Sequence, residues 1–285
     1  MRSLPIVMAL TSLALLGATH APAVPRRIVS LNLCADQLLV ALADRGQIAA
    51  LTEWARDPQL SSVAVRARGL PFTHRSAEEV MVLHPDLVIG APFRTKSVLA
   101  PLKAQGVKMV EMPRGEGVAG IEASINVIAA AVGHSERGTA LIAKLRRDLA
   151  RIGPPPGHGR VAAYYQRQGY LTGTGTLVDE MLTRVGLVNL AGKLGRPSLS
   201  QLSLEEMALA RPDFLVMDAG TRVVADRGTA ALHHPVLDAA VPVPQHLYVP
   251  QALTVCGGPG FPRAVALLAA QVRAADASPA KAGAP

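Results

Sequence analysis

Aromatic side chains are scarce in this chain. Phe, Trp and Tyr make up 3% of its 285 residues, and Trp54 is the only tryptophan. Hydrophobic residues still reach 49%, so any core rests on Leu, Val, Ile and Ala, and that apolar content excludes a disordered chain. Runs of like charge are also missing. The net charge is +8, but the Lys and Arg are scattered with few aromatics between them, which is not the footprint of a nucleic-acid binder. Such charge fits a solvated surface, with a few arginines reserved for an anionic small ligand. The eight His form no metal motif. The nearest approach is His233-His234-Pro235, and adjacent side chains point different ways on most backbones. No Gly-x-Ser-x-Gly turn or nucleophile–base pair marks a hydrolase. Gly173-Thr-Gly-Thr-Leu177 lacks both the third Gly of a dinucleotide fingerprint and the Lys of a P-loop. No catalytic residue, metal ligand set or cofactor is therefore expected.

One stretch stands apart. Arg2 precedes an apolar run from Leu4 to Leu16, broken only by Thr11 and Ser12, and Ala21-Pro22-Ala23 supplies small residues before Val24. The run is short for the ~30 Å of a bilayer core, so residues 1–23 read as an export signal cleaved near Ala23. The expected location is the periplasm. No Cys lies near the cleavage point to carry a lipid.

The rest of the chain repeats itself. Ser76-Ala-Glu-Glu-Val-Met-Val-Leu-His-Pro-Asp-Leu-Val-Ile89 aligns with Ser203-Leu-Glu-Glu-Met-Ala-Leu-Ala-Arg-Pro-Asp-Phe-Leu-Val216. In each copy a Ser N-cap and a Glu three residues on make a capping box. A short helix stops ahead of Pro85 or Pro212, and an apolar run then reads as a buried parallel strand. A repeat at this distance predicts two similar three-layer α/β lobes. Residues 24–116 form the first lobe and 154–275 the second. The first contains strands at Arg27–Leu31, Ile48–Leu51 and Val107–Glu111, with helices at Asp36–Ala43 and Ser97–Ala104. The second contains strands at Val161–Tyr165, Phe214–Met217 and Leu247–Val249, with helices at Thr176–Val185 and Pro262–Ala274. Residues 117–153 link the lobes through helices at Ile121–Ala131 and Ser135–Ile152. The second is long and amphipathic, with Leu141, Ile142, Leu145 and Leu149 on its apolar face. A frayed tail follows at 276–285.

Two α/β lobes joined by a long rigid helix resemble the helical-backbone class of periplasmic binding proteins, above all its cobalamin- and ferric-siderophore-binding members. The resemblance is carried by Arg27-Ile-Val-Ser-Leu-Asn-Leu-Cys-Ala-Asp-Gln-Leu38, the two Ser-x-Glu-Glu…Pro-Asp repeats, Leu171-Thr-Gly-Thr-Gly-Thr-Leu177 and Cys256-Gly-Gly-Pro-Gly-Phe-Pro-Arg263. It implies capture without chemistry. A monomer would bind a small-molecule metal chelate between its lobes and dock on the permease dimer of an ABC importer. It further implies that Glu78 and Glu205, equivalent in the two repeats, meet that permease. Few aromatics, and Cys256 where the cobalamin binder has a Trp, broaden the expected ligand from cobalamin to other corrinoids, smaller chelates or a ferric siderophore. Haem is a further option, although no Tyr or His stands out as an axial ligand. An exported hydrolase using the crevice is the rival reading.

In parallel α/β lobes the crevice lies at the carboxyl ends of the strands. Residues expected there are Asn32, Cys34, Asp36, Trp54, Arg56, Phe93, Arg94, Tyr170, Thr174, Arg222, Cys256 and Arg263. Trp54 offers a flat face for a macrocycle, and the arginines offer planar forks for carboxylate. Three arrangements fit Cys34 and Cys256, the only cysteines: a cross-cleft redox lock, free thiols lining the pocket, or thiolates on a bound metal. Cysteine's habit of packing as a small apolar residue favours the second, so reduced thiols are expected.

Overall fold

A computed structural model describes residues 24–90, 96–113 and 117–277. The expected signal segment, Phe93, Arg94 and the end of the tail lie outside the described residues.

In the first lobe the elements are β1 (Ile28–Ser30), α1 (Leu33–Leu42), β2 (Ile48–Thr52), β3 (Phe72–Thr73), α2 (Ala77–Val82), β4 (Leu87–Gly90), α3 (Lys96–Ala104) and β5 (Met109–Glu111). The strands form one parallel sheet in the order β3-β2-β1-β4-β5. Strands β1 and β4 are buried along their whole length, as their unbroken apolar runs require when helices cover both faces. α1 begins earlier than its apolar spacing indicates, because the Asn32 side chain accepts hydrogen bonds from the backbone N–H groups of Cys34 and Ala35 and so caps it.

The link comprises two helices, α4 (Gly117–Ala131) and α5 (Ser135–Ala150), folded against each other. Gly133 makes the turn between them at φ 81°, a conformation that costs glycine nothing. α4 packs on α1 of the first lobe and on α6 of the second, and α5 packs on the last helix.

The second lobe runs β6 (Val161–Tyr164), β7 (Tyr170–Thr172), α6 (Leu177–Val185), β8 (Val188–Asn189), α7 (Leu190–Lys193), β9 (Leu199–Gln201), α8 (Leu204–Ala210), β10 (Phe214–Asp218), α9 (Pro235–Ala240), β11 (His246–Val249), α10 (Gln251–Thr254) and α11 (Phe261–Ala277). Its main sheet is parallel, in the order β11-β10-β6-β8, and β7 pairs antiparallel with β9 in a separate ribbon. One apolar cluster runs without a break from Ile28 and Leu38 through Ile121 and Ile125 to Phe261 and Leu268. The two lobes and the link therefore share a core.

The repeat is visible in three dimensions. α2 and α8 both follow a Ser N-cap whose hydroxyl accepts from the N–H of the Glu three residues on. Both end at a residue in the left-handed region, His84 (φ 43°) and Arg211 (φ 41°). The proline that follows each disfavours the right-handed helical conformation there. β4 and β10 follow in equivalent places.

Candidate functional site

The carboxyl ends of the two sheets face each other. Cys34, in the first turn after β1, and Cys256, after β11 and α10, are joined in a disulfide with their Cα atoms 5.2 Å apart. This corrects the expectation of reduced thiols. Beside the disulfide, Gly257 lies so near α4 that an added Cβ would stand 2.8 Å from Ile121. The disulfide thus sits next to the linking helices. Removing both cysteines from titration also removes thiolate ligation of a metal.

The wall on the first lobe is built where β2 and β3 end. Strand pairing sets Thr52 beside Thr73 and so places Trp54 and Phe72 at one edge. They are 37% and 43% exposed, high for aromatics in a chain with so few. Each carries a guanidinium on its face. Arg75 lies 3.5 Å from the Trp54 ring and Arg56 lies 4.1 Å from the Phe72 ring. Arg75 is tied to Glu53 at 3.0 Å, and Arg56 donates to the Leu70 carbonyl. His74 completes the wall, its ring edge-on to Phe72 at 5.5 Å.

The wall on the second lobe surrounds a cavity of 240 Å³ lined by Tyr164, Gln166, Arg167, Tyr170, Leu199, Asp218, Thr221 and Gln251. Tyr164 ends β6 and Asp218 ends β10. These neighbouring strands are where the strand order reverses, the usual ligand crevice of open α/β sheets. Asp218 accepts from the Gln251 N–H at 2.8 Å. The Tyr164 hydroxyl lies 3.3 Å from Thr254 Oγ1, and burial pushes it up to about 12, so it stays protonated at neutral pH.

Of the residues expected at the crevice, Trp54 and Arg56 lie just after β2, and Tyr170 lines the second-lobe cavity. Cys34 and Cys256 form the disulfide beside α4, and Arg222 follows the cavity residue Thr221 with its guanidinium over Tyr248. Asn32 is occupied as a helix cap. Thr174 is exposed in the turn before α6, away from the cavity lining. Asp36 is a correction. It is fully buried, its carboxyl bonded to the Thr52 N–H and hydroxyl. Desolvation pushes it up to about 7, against the hydrogen bonds that lower it. It supports the wall from beneath. Arg263 is also displaced, to an open groove of 460 Å³ beside α5 with Arg66, Lys144, Asp148 and Arg151. Glu78 and Glu205 are exposed in the first turns of α2 and α8. The sequence reading missed His74, Phe72, Arg75 and Tyr164. Phe72 lies in a strand of two residues and His74 follows it, and two residues are too few to leave a period.

The sequence pattern of the periplasmic binding protein family matches residues 28–232. The chain belongs to that family, one of transport-associated binding proteins of the periplasm. Solved structures share its fold. The periplasmic heme-binding protein RhuT from Roseiflexus sp. RS-1 superposes with a TM-score of 0.69 at 23% identity, over 88% of this chain and 99% of that one. The vitamin B12 binding protein BtuF of Vibrio cholerae gives 0.67 at 18% identity, over 88% and 98%. An ABC-type Fe3+-hydroxamate transport protein from Saccharomonospora viridis gives 0.68 at 20% identity, over 87% and 93%. No curated protein matches the chain by sequence.

Proposed function

We propose that the protein captures a metal chelate in the crevice between its lobes and delivers it, unaltered, to an ABC importer. The observation that carries this reading is the pair of unlike walls at facing sheet ends. On one side stand half-exposed Trp54 and Phe72 faces with guanidinium partners. On the other is a polar cavity with Tyr164, Tyr170 and Asp218. Aromatic faces on one side and convergent polar groups on the other suit a large, flat ligand with polar edges. A corrinoid, a ferric siderophore and haem all fit that description, and structural neighbours named for each share the fold. Binding without catalysis is the expected behaviour. The walls present no nucleophile held by a base, and the hydroxyl of Tyr164 is protonated and buried. The signal at 1–23 would deliver a soluble monomer to the periplasm, cleaved near Ala23. Glu78 and Glu205 are the residues proposed to meet the two permease subunits.

Native mass spectrometry and an absorption spectrum of the protein purified from periplasm test the reading. A co-purified coloured chelate at one per chain supports it. A protein that arrives empty, and binds neither corrinoid, ferric hydroxamate nor haem when offered them, contradicts it.

A further inference from the structure

Positive charge gathers where the three parts of the fold meet. The open groove of 460 Å³ that holds Arg263 is walled by the loop between β2 and β3, by α5 and by the start of α11. It therefore touches the first lobe, the link and the second lobe. Arg66, Lys144, Arg151 and Arg263 line it, with Asp148 as the one carboxylate among its lining residues. Lys144 bonds Asp148, and Arg151 lies 3.6 Å from the same carboxylate. Arg66 donates to the Val40 carbonyl at 2.6 Å, which fixes the side chain and leaves its charge uncompensated. Arg263 engages only its backbone N–H, to the Gly260 carbonyl. Its guanidinium has no partner among the described residues. Four cations on one carboxylate leave three positive charges over.

The inner wall adds to the excess of donors. Gly260 lies so close to the first lobe that an added Cβ would stand 3.0 Å from Ser62 Cβ, so a side chain there would press into the seam. The Ser62 hydroxyl donates to Gln37 Oε1 at 2.5 Å. Gln37 is 2% exposed, and its Nε2 has no hydrogen-bond partner among the described residues. Like charges gathered in a concave site focus one another's field and favour the entry of a counter-ion. Each Arg fork takes two oxygens at once, the geometry of phosphate and carboxylate. The volume falls within the ~300–1,000 Å³ of small-ligand sites. A diphosphate group concentrates several charges on a few oxygens and so can meet cations from all three walls together. The groove shares no lining residue with the second-lobe cavity.

We propose that this groove is a second binding site, separate from the crevice, for a diphosphate or a similarly compact multivalent phosphate, held by Arg66 from the first lobe, Arg151 from the link and Arg263 from the second lobe. An occupant ties both lobes to the link and stabilises the folded protein as any ligand of the native state does.

Isothermal titration calorimetry with sodium diphosphate, in chloride buffer at constant ionic strength, tests this. One saturable site per chain is expected, and the thermal midpoint should rise as the site fills. Arg151→Ala and Arg263→Ala should each weaken diphosphate by about 10-fold, the loss of one charged hydrogen-bonding partner. The double variant should not bind it. Arg184→Ala, which removes an arginine paired with Glu180 on α6, should bind as wild type does. Trp54 quenching by dicyanocobinamide, a ferric hydroxamate or haem should be the same in wild type and Arg263→Ala. Sedimentation with phosphatidylcholine vesicles containing phosphatidic acid, lost in the double variant, would assign the phosphate to a lipid headgroup; diphosphate binding without sedimentation assigns it to a free solute. No saturable binding of diphosphate or vesicles, or equal affinity in wild type and the double variant, overturns the proposal. So does an Arg263→Ala protein that loses the chelate and keeps diphosphate, since Arg263 would then belong to the crevice.

Discussion

Replacing Asp36 by Asn should make the protein more stable at pH 8 while changing little at pH 4. Asp36 has no exposure to water and sits under the crevice wall, with Oδ1 3.1 Å from the Thr52 N–H. Its pKa is raised from 3.8 to about 7, mainly by desolvation. The folded protein therefore keeps a proton on Asp36 in the window where the unfolded chain has lost it. Stability must fall as pH rises from about 4 through about 7, and level off above. Each pH unit in that window is worth about 1.4 kcal/mol, which gives a penalty on the order of 4 kcal/mol at pH 8. Asn removes the penalty and keeps an acceptor for the Thr52 N–H. Its amide donates to the Thr52 hydroxyl, which rotates to accept. The hydrogen bonds to that carboxylate are already contained in its pKa, so the advantage of Asp36→Asn should grow by on the order of 4 kcal/mol between pH 4 and pH 8. Urea midpoints for both proteins, measured from pH 4 to 8, give the difference directly. Carboxylates elsewhere, such as Asp44 and Glu122, titrate alike in both and cancel. A difference that does not change with pH would refute the reasoning.

Three further outcomes are expected. Thiol counting on denatured, unreduced protein should find no free thiol, and Cys34→Ser with Cys256→Ser should cost about 2–5 kcal/mol in urea denaturation; two free thiols in active protein would remove the clamp from the account. Ligand should change the radius of gyration little in small-angle scattering, because α4 packs on both lobes and the disulfide ties them together; a large contraction contradicts this. Glu78→Ala and Glu205→Ala should leave ligand affinity unchanged and weaken docking and uptake, the double change far more than either alone. Docking should also weaken with salt. Full uptake by the double variant would reduce both residues to helix-end carboxylates.

The lobes and their link were legible because their signals are local. The capped helix, the proline stop and the apolar strand occur twice, and α5 carries its apolar stripe in sequence. β3 and β8 have two residues each, too few for a period, and the antiparallel ribbon β7–β9 belongs to one lobe only, so the repeat did not announce it. The cysteines were visible, but their pairing depends on how two lobes sit together across 222 residues. Asp36 lies four residues after Asn32 in α1, and its spacing suited the crevice as well as the core. Only the packing of Thr52 against it decides for the core. His74 was hidden for a similar reason. The capping-box spacing predicts a structural task for Glu79, and only three dimensions show its carboxylate accepting from the Thr73 hydroxyl and the His74 N–H instead.

Trp54 permits the most direct test of the central claim. It is the only tryptophan, and it stands half-exposed in the proposed wall. Its fluorescence should be quenched saturably by the bound chelate at one equivalent per chain, and the chelate should be recovered chemically unchanged after denaturation of the complex. Fluorescence that never responds to any corrinoid, ferric hydroxamate or haem, or a ligand recovered as a different compound, would contradict capture between these lobes.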